Sequence, residues 1–375
     1  MSQYTRATGD TKNPVTHEKK LFHETLKGTS LAGLMGKQGS GMPIVVDSQL
    51  RGKAGDTIRY EMIPHTYADA LIGQTVTIKG NESVFRSDSL DLTIDEVNHA
   101  QAKKGRMTDQ RVIFNVKEQM RRQLVNQAIQ YNENAIFKTL SGITATDQTG
   151  TWKLLANTTD RVNGTYRCWH AAGGNGGTLV TVANSDNTAL DGLMTTASKF
   201  SPQLLDEATS QLQSLDPSSE TTSYRLRPIR VGKNNELFLC AFLSPIAAKD
   251  LRYNPEWQAH AYSVNERGLG GPDDLIGAAA MGTWGNVIIK ESAHITRFAT
   301  TAADSSRYAR NLLLGADACL CGWAKTLTFT EDDDDHEREL SMAAYEIRGE
   351  SKINFNGQDN STNVDLGVVQ LASVG

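Results

Sequence analysis

Cysteine is scarce in this chain of 375 residues, which contains only Cys168, Cys240, Cys319 and Cys321. So few cysteines do not make a disulfide framework in a chain of this length, and we expect free thiols in a reducing compartment. Cys319 and Cys321 lie two residues apart, but no second Cys or His pair accompanies them, as a structural zinc site requires. The sequence therefore predicts no bound metal and no other cofactor.

Long apolar runs are also absent. Residues 1–20 are polar and lack the apolar core of a secretory signal, and the most apolar long run, 275–289, is interrupted by glycine, threonine and asparagine. Neither secretion nor a membrane span is supported. We interpret the polar N-terminal residues as an extended arm that is ordered only where something holds it.

Positive charge is not in excess, because 38 Lys and Arg stand against 43 Asp and Glu, for a formal net charge of −5. Adjacent basic residues occur as short pairs, such as those at 19–20, 103–104 and 121–122. A dedicated nucleic-acid-binding protein usually carries a basic face. The charge pattern therefore argues against that class.

The familiar catalytic motifs are missing too. His17-Glu18 would begin an HExxH zinc-protease motif, but Leu21 stands where the second His is needed. No GxSxG nucleophile motif is present. The acidic run 331–339 lacks the alternating ligands and the glycine of a calcium-binding EF-hand loop, so we interpret it as a solvated loop or a subunit contact. An enzyme would need a site that the sequence does not reveal.

The most regular feature that is present is a stretch without Pro or Gly at 115–140. Apolar residues recur there every three to five positions, as on one face of a helix: Val116, Met120, Leu124, Ala128, Tyr131, Ala135 and Leu140. Asn115 suits the N-cap, Glu118 could complete a capping box, and Gly142 follows as a stop signal. The pattern predicts a rod of about 39 Å, either a structural strut or a long core helix of an enzyme.

Residues 56–95 instead alternate with a period of two, which predicts a β-ribbon with an irregular tip at about 64–83. Its regularly spaced apolar residues are Ile58, Tyr60, Met62, Val76, Ile78, Leu90, Leu92 and Ile94. A lone two-stranded ribbon is marginal in water. We therefore predict that the segment between Asp56 and Asp95 finds cover only on another copy of the chain.

The rest of the chain alternates between helical and strand-like segments, with a Gly-, Thr- and Asn-rich stretch of loops and short strands at 150–186. The predicted elements are helices at 190–200, 202–215 and 246–253, and strands at 237–245, within 274–292, at 349–355 and at 364–374.

Several blocks, in this order, resemble one protein family. They are KLFHETLKGTSLAGLMG at 20–36, GDTIRYEM at 55–62, the run 105–119, AAKDLRYNPEW at 247–257, DLIGAAAMGTWGNVIIKES at 274–292, and GESKINFNG at 349–357 followed by DLGVVQL. The family is that of tailed-phage major capsid proteins typified by the N-four-like podoviruses. At 358–367 the chain has QDNSTNVDLG in place of a tighter family turn.

The resemblance implies an α+β fold of the Hong Kong 97 type, with named parts. These are an N-arm at 1–45, an E-loop β-ribbon at 46–98, a P-domain at 99–185 with the spine helix 115–140 and a loop-rich segment, an A-domain at 186–310, and return strands shared by the A- and P-domains at 311–375. On this basis the predicted E-loop interface residues are Ile58, Tyr60, Met62, Val76, Ile78, Lys79, Leu90 and Leu92. The predicted spine-helix residues are Val116, Met120, Arg121, Arg122, Leu124 and Tyr131.

The resemblance further implies a structural, non-enzymatic protein whose copies form hexamers and pentamers of an icosahedral phage head around double-stranded DNA. Expected partners are other copies, portal and scaffolding proteins, a decoration or cement protein, and DNA in loose contact, with no membrane. The short arm suggests that scaffolding is a separate protein. The expected location is the virion, after assembly in the host cytoplasm. The alternatives are an encapsulin-like shell protein and a cytoplasmic enzyme.

Overall fold

A computed structural model describes residues 31–48, 50, 55–62, 72, 77–79, 87–104, 115–142, 164–171, 177–182, 198–213, 226–231, 236–266, 280–295, 297–298, 308–334, 339–356 and 363–374. Residues 1–30 of the predicted arm, Val76 and most of the predicted ribbon tip lie outside the described residues. So do the run 105–114 and most of the helix predicted at 190–200.

The described residues form an α+β fold. The strands are β1 (Met35–Gly36), β2 (Ile44–Asp47), β3 (Thr57–Met62), β4 (Asp88–Thr93), β5 (Asp95–Lys104), β6 (Gly164–Ala171), β7 (Gly177–Val182), β8 (Ile229–Val231), β9 (Glu236–Leu243), β10 (Ala280–Trp284), β11 (Val287–Glu291), β12 (Arg297–Phe298), β13 (Tyr308–Leu314), β14 (Cys319–Asp334), β15 (Glu339–Lys352), β16 (Asn354–Asn356), β17 (Asn363–Asp365) and β18 (Val368–Val374). The helices are α1 (Val116–Leu140), α2 (Pro202–Gln213), α3 (Pro245–Tyr253) and α4 (Pro255–Glu266), with a 3-10 turn at Ala32–Leu34.

Helix α1 confirms the predicted rod. The side chain of Asn115 accepts a hydrogen bond from the Glu118 backbone N–H at 3.4 Å, and Gly142 follows the helix with a φ of 71°. The Glu118 carboxylate accepts from Arg122 at 2.7 Å instead of returning to the cap. The apolar stripe is buried from Met120 to Leu140, and its first member, Val116, is half-buried.

A five-stranded sheet lies against α1, in the order β1-β2-β14-β15-β5. Inward-facing residues of β14 and β15, among them Leu327, Met342 and Ala344, pack on Leu124 and Ala128 of the helix. Strand β5 was not predicted, because the sequence NHAQAKK has no clear alternation of apolar and polar residues. Pairing with β15 over ten positions imposes the extended conformation there.

The prediction of a loop at 331–339 is wrong at both ends of this run, because β14 extends to Asp334 and β15 begins at Glu339. Residues Glu331 to Asp334 belong to β14 and pair with β15, so that the acidic side chains extend a long hairpin. Glu331 also forms an ion pair of 2.5 Å with Lys117 of α1. Backbone pairing and this opposite charge hold the run in a strand despite its low β-propensity.

A larger sheet of eleven strands contains the path β10-β11-β9-β13-β18-β6-β17-β16, with β7, β8 and β12 on its branches. In β9, Leu239, Ala241 and Leu243 face the cluster that includes α2 and α3, whereas Cys240 and Phe242 face the opposite way. Both faces of its centre are therefore buried, which explains the continuous apolar sequence of β9.

The predicted elements in this part of the chain are largely confirmed. Helices α2 and α3, strand β9 and the turn at Gly285 before β11 lie where the sequence placed them. The loop-rich stretch 150–186 contains the antiparallel pair β6 and β7. The described residues 198–200, at the end of the helix predicted at 190–200, are not helical.

Candidate assembly surface

The predicted ribbon exists as the two-stranded sheet of β3 and β4. Ile58 lies opposite Leu92 and Tyr60 opposite Leu90. All four side chains are buried, with exposed fractions of 3%, 0%, 7% and 9% in the order Ile58, Leu92, Tyr60 and Leu90. On the other face Arg59 donates two hydrogen bonds to Asp91, at 2.7 and 2.9 Å. The alternation of the sequence is thus realised as one buried and one exposed face.

The buried face of the ribbon is covered by the same chain. It packs on apolar residues of the first sheet and of the closing strands: Val45, Leu320, Ile353, Phe355 and Leu366. The Tyr60 and Phe355 rings lie 6.2 Å apart between centroids. The prediction that this segment finds cover only on another copy is therefore wrong for the ribbon base.

Two glycines make this close packing possible. Gly322 of β14 and Gly349 of β15 lie opposite each other, directly beneath the ribbon. A Cβ at Gly322 would lie 2.4 Å from Cδ1 of Ile58, and one at Gly349 would lie 2.5 Å from the Thr93 carbonyl oxygen. Because neither position carries a side chain, the ribbon base sits directly on the sheet.

The predicted E-loop interface residues therefore divide into two groups. Ile58, Tyr60, Leu90 and Leu92 are enclosed in their own chain, and Met62 is half-buried beside them. Towards the tip, Ile78 is 69% exposed and its neighbour Lys79 is exposed as well. Ile72, which the sequence analysis did not single out, is 85% exposed. We therefore take Ile72 and Ile78, both large, apolar and mostly exposed, as candidate contact residues.

The predicted spine-helix residues divide in the same way. Met120, Leu124 and Tyr131 are buried beneath the helix, and Val116 is half-buried. Arg122 is exposed and bonded to Glu118, whereas the Arg121 guanidinium lies 5.4 Å from the centre of the Phe329 ring. Two further apolar residues of α1, Val125 and Ile129, are half-buried, and Val125 packs against the same apolar cluster as Leu124.

A cluster of buried charges beneath α1 was not predicted. Arg348 is 2% exposed and lies 3.2 Å from a Glu350 carboxylate oxygen and 3.6 Å from a Glu346 oxygen. It also donates to Asn132 of α1. The signal was available in the sequence, because these three charges continue, two residues apart, the inward-facing series of Met342 and Ala344 on β15.

The cysteines whose side chains are described, Cys240, Cys319 and Cys321, are free, as predicted, and all three are buried. Burial raises the pKa of the Cys240 thiol to about 12. The Cys319 and Cys321 sulfurs lie 3.9 Å apart, and their mutual hydrogen bond, together with burial, raises the Cys319 pKa. In the part of the chain that the structure describes, no three His, Cys, Asp or Glu side chains are grouped so that they could hold a metal ion.

Of the helices that the structure describes, none combines the length and apolar character needed to cross a membrane.

A search of curated proteins found no match.

Three solved structures of phage capsids share the fold. The capsid of Ralstonia phage GP4 is 19% identical, with a TM-score of 0.69 over 100% of this chain and 95% of that one. The capsid asymmetric unit of cyanophage Pam1 is 15% identical, with a TM-score of 0.61 over 100% and 96%. The acid-stable capsid of Helicobacter pylori bacteriophage KHP30 is 12% identical, with a TM-score of 0.62 over 100% and 94%. The likeness confirms the predicted Hong Kong 97-like α+β fold.

The family model described as phage capsid protein matches residues 5–375, nearly the whole chain. The chain therefore belongs to the phage capsid protein family and is a structural major capsid protein.

Proposed function

We propose that copies of this chain assemble into hexamers and pentamers of an icosahedral head that encloses double-stranded DNA in a tailed phage. The family match and the shared capsid fold support this proposal. The observation that carries it is the ribbon, whose base is enclosed in its own chain while Ile72 and Ile78 beyond it are exposed. When another subunit covers an exposed apolar side chain, the free energy of the assembly falls, because apolar surface is removed from water.

In this proposal the ribbon base is an anchor and the tip is the contact. The glycine pair Gly322 and Gly349 lets the base lie directly against the sheet. We propose that the tip lies over α1 of a neighbouring copy, where Ile129 is half-buried. Many such contacts per copy give high avidity even when each is modest, and closed symmetry ends growth.

The remaining assignments follow the same scheme. We assign residues 1–45 to an arm that reaches an adjacent subunit, 46–98 to the E-loop, 99–185 to the P-domain, 186–310 to the A-domain and 311–375 to the return strands. The net charge of −5 fits an inner wall in loose contact with DNA. We propose portal, scaffolding and decoration proteins as partners. We also propose that the heads assemble in the host cytoplasm and that the phage belongs to the podovirus branch.

The role is structural, not catalytic. The match to a phage capsid family favours a phage head over an encapsulin shell, the rival within the fold. A cargo enzyme that docks inside the particles would support the encapsulin instead. A monomer that turns over a metabolite would support an enzyme.

The test introduces a charge at the ribbon tip. Ile78→Asp should leave a folded subunit, because the side chain is 69% exposed, but should reduce closed particles at least about tenfold by removing the apolar contact. Ile78→Leu is the matched control, since it keeps an apolar side chain of the same size at the same position. Both variants are expressed with the other head proteins of the phage and compared by sedimentation and electron microscopy.

Particles formed equally well by Ile78→Asp and wild type would contradict the proposed tip contact. Uniform closed heads formed by the wild-type chain alone would contradict the separate scaffolding protein.

A further inference from the structure

The three long strands of the first sheet carry opposite charges on their two outer members. Strands β14 and β5 both run antiparallel to β15, which lies between them, so β14 and β5 are parallel to each other. Near the base of these strands, Ile347 of β15 pairs with Lys325 on one side and with Glu96 on the other. This row of three residues thus has a positive charge on β14 and a negative charge on β5.

A second row, towards the far end of the hairpin, has the opposite arrangement. Leu340 of β15 pairs with Asp333 on one side and with Lys103 on the other. The two rows lie seven positions apart along β15, so the sign changes between the base and the far end of each outer strand.

No row places like charges on β14 and β5. Rows are formed across β15 by Trp323 with Asp95, Thr328 with Asn98, Phe329 with His99, Thr330 with Ala100, Glu331 with Gln101, Asp332 with Ala102 and Asp334 with Lys104. The two outer strands are therefore complementary in charge when they are aligned row by row.

Both outer strands have an edge that could receive another strand. In the part of the sheet that the structure describes, β5 pairs with β15 on one side only, and β2 pairs with β14 only at 319–322. Backbone groups along a sheet edge pair readily with a further strand. The side chains of Glu96, Lys325 and Asp333 are exposed, and that of Lys103 is half-buried.

We propose that β5 of one copy pairs in parallel with β14 of the next, which joins the first sheets of neighbouring copies edge to edge. Because β5 and β14 run in the same direction, a second copy placed beside the first, without a shift along the strands, presents β14 to β5 with the rows in line. Lys325 then lies beside Glu96 of the next copy, and Asp333 lies beside Lys103. This contact rests on the proposed assembly into hexamers and pentamers and identifies one interface within them.

The charges also select this register and this type of symmetry. A shift by one residue would turn each side chain to the other face of its partner strand, and a shift by two would separate Lys325 from Glu96. A two-fold contact between two β14 edges, with Lys325 beside Asp333, would end at two copies. A head-to-tail contact uses both edges of every copy and closes into a ring.

A charge swap tests the contact. Lys325→Glu should reduce closed particles at least about tenfold, because two carboxylates then meet at every copy of the interface. Adding Glu96→Lys should restore the particles, whereas Lys325→Arg, which keeps the charge, should assemble like wild type. Expression with the other head proteins, sedimentation and electron microscopy are used as for the ribbon tip.

The rescue separates this contact from effects within one subunit. Lys325 also donates a hydrogen bond to the Tyr345 hydroxyl at 3.0 Å, so circular dichroism is used to check that each variant is folded. Within one chain, Lys325 and Glu96 lie two strand spacings apart, or about 10 Å. Glu96→Lys cannot replace the lost contact with Tyr345, so recovery of particles reports contact between copies.

A disulfide gives a second, independent test. In particles of the double variant Glu96→Cys with Lys325→Cys, oxidised glutathione should link chains into a ladder on a non-reducing gel. The spacing of about 10 Å within one chain exceeds the reach of a disulfide, so each new bond joins two copies. Glu96→Cys with Thr330→Cys is the matched control, since Thr330 is exposed on the same strand but belongs to another row, and it should give no ladder.

Normal heads formed by Lys325→Glu, while wild type also forms heads, would overturn this contact and leave the proposed function standing. Wild type that forms no heads with its partner proteins would contradict both. Rescue of Lys325→Glu by Asp333→Lys, but not by Glu96→Lys, would show the two-fold contact instead and overturn the head-to-tail one. If Lys325→Glu does not fold, the cysteine pair decides, and the absence of a ladder overturns the contact.

Discussion

Lys352 and Asp365 illustrate at the scale of single residues how the closing strands are held. The Lys352 Nζ lies 2.8 Å from Asp365 Oδ2, and both side chains are 2% exposed. Removing charges this far from water is expensive, and their attraction recovers the cost only while both are present. We therefore expect the pair to specify how β15 and β17 meet more than to add net stability.

We expect Lys352→Met to lower the free energy of unfolding by about 3–5 kcal/mol, because it leaves Asp365 charged and buried. The double variant Lys352→Met with Asp365→Leu should recover most of this loss. Urea unfolding followed by circular dichroism measures both, with exposed Lys37→Met as the control. A double variant as unstable as the single one would show that the pair is net stabilising.

At the scale of elements, the ribbon depends on what lies beneath it. A ribbon of two strands cannot bury a core alone, and here β14 and β15 provide a flat seat by having glycine at paired positions. The ribbon base is therefore packed within its own subunit. The exposed Ile72 and Ile78 beyond it are available to contact a neighbouring subunit.

Gly322→Ala should destabilise the chain by about 1–3 kcal/mol, because the new Cβ would lie 2.4 Å from Cδ1 of Ile58. Ile58→Val removes that carbon, so the double variant should be more stable than the sum of the two single changes. A double-mutant cycle of urea midpoints measures the coupling. Strictly additive changes would show that the ribbon base does not press on this glycine.

At the scale of the whole molecule, α1 joins the two sheets. Its C-terminal half is buried on nearly every side, and the Phe137 ring meets Phe242 of the larger sheet at 5.3 Å between centroids. Residues from both sheets and from the helix end form one apolar cluster. We infer that the sheets unfold together.

Phe137→Ala should cost about 3–5 kcal/mol and shift a single cooperative transition, because it opens a cavity in the shared cluster. Calorimetry and tryptophan fluorescence should report the same lowered Tm. The control is Phe329→Ala. Phe329 is a half-buried residue of β14 that packs near the N-terminal half of α1, so its removal should lower the Tm less. Two separate transitions in Phe137→Ala would contradict a common core.

Prediction from the sequence succeeded where the information is local. The spacing of Met120, Leu124 and Ala128 predicted α1, and the alternation around Ile58 and Leu92 predicted the ribbon. It failed where the partner is distant in the chain. Strand β5 and the acidic end of β14 are extended because β15 pairs with both, and neither has the composition of a strand.

The sequence by itself determined the periods of the elements, their approximate ends and, through several ordered blocks, the family. Only the tertiary structure decided which surfaces are covered: the ribbon base lies on Gly322 and Gly349, and the charges around Arg348 lie beneath α1. The physical reason is that periodicity shows which side chains share a face, whereas burial depends on contacts between residues hundreds of positions apart.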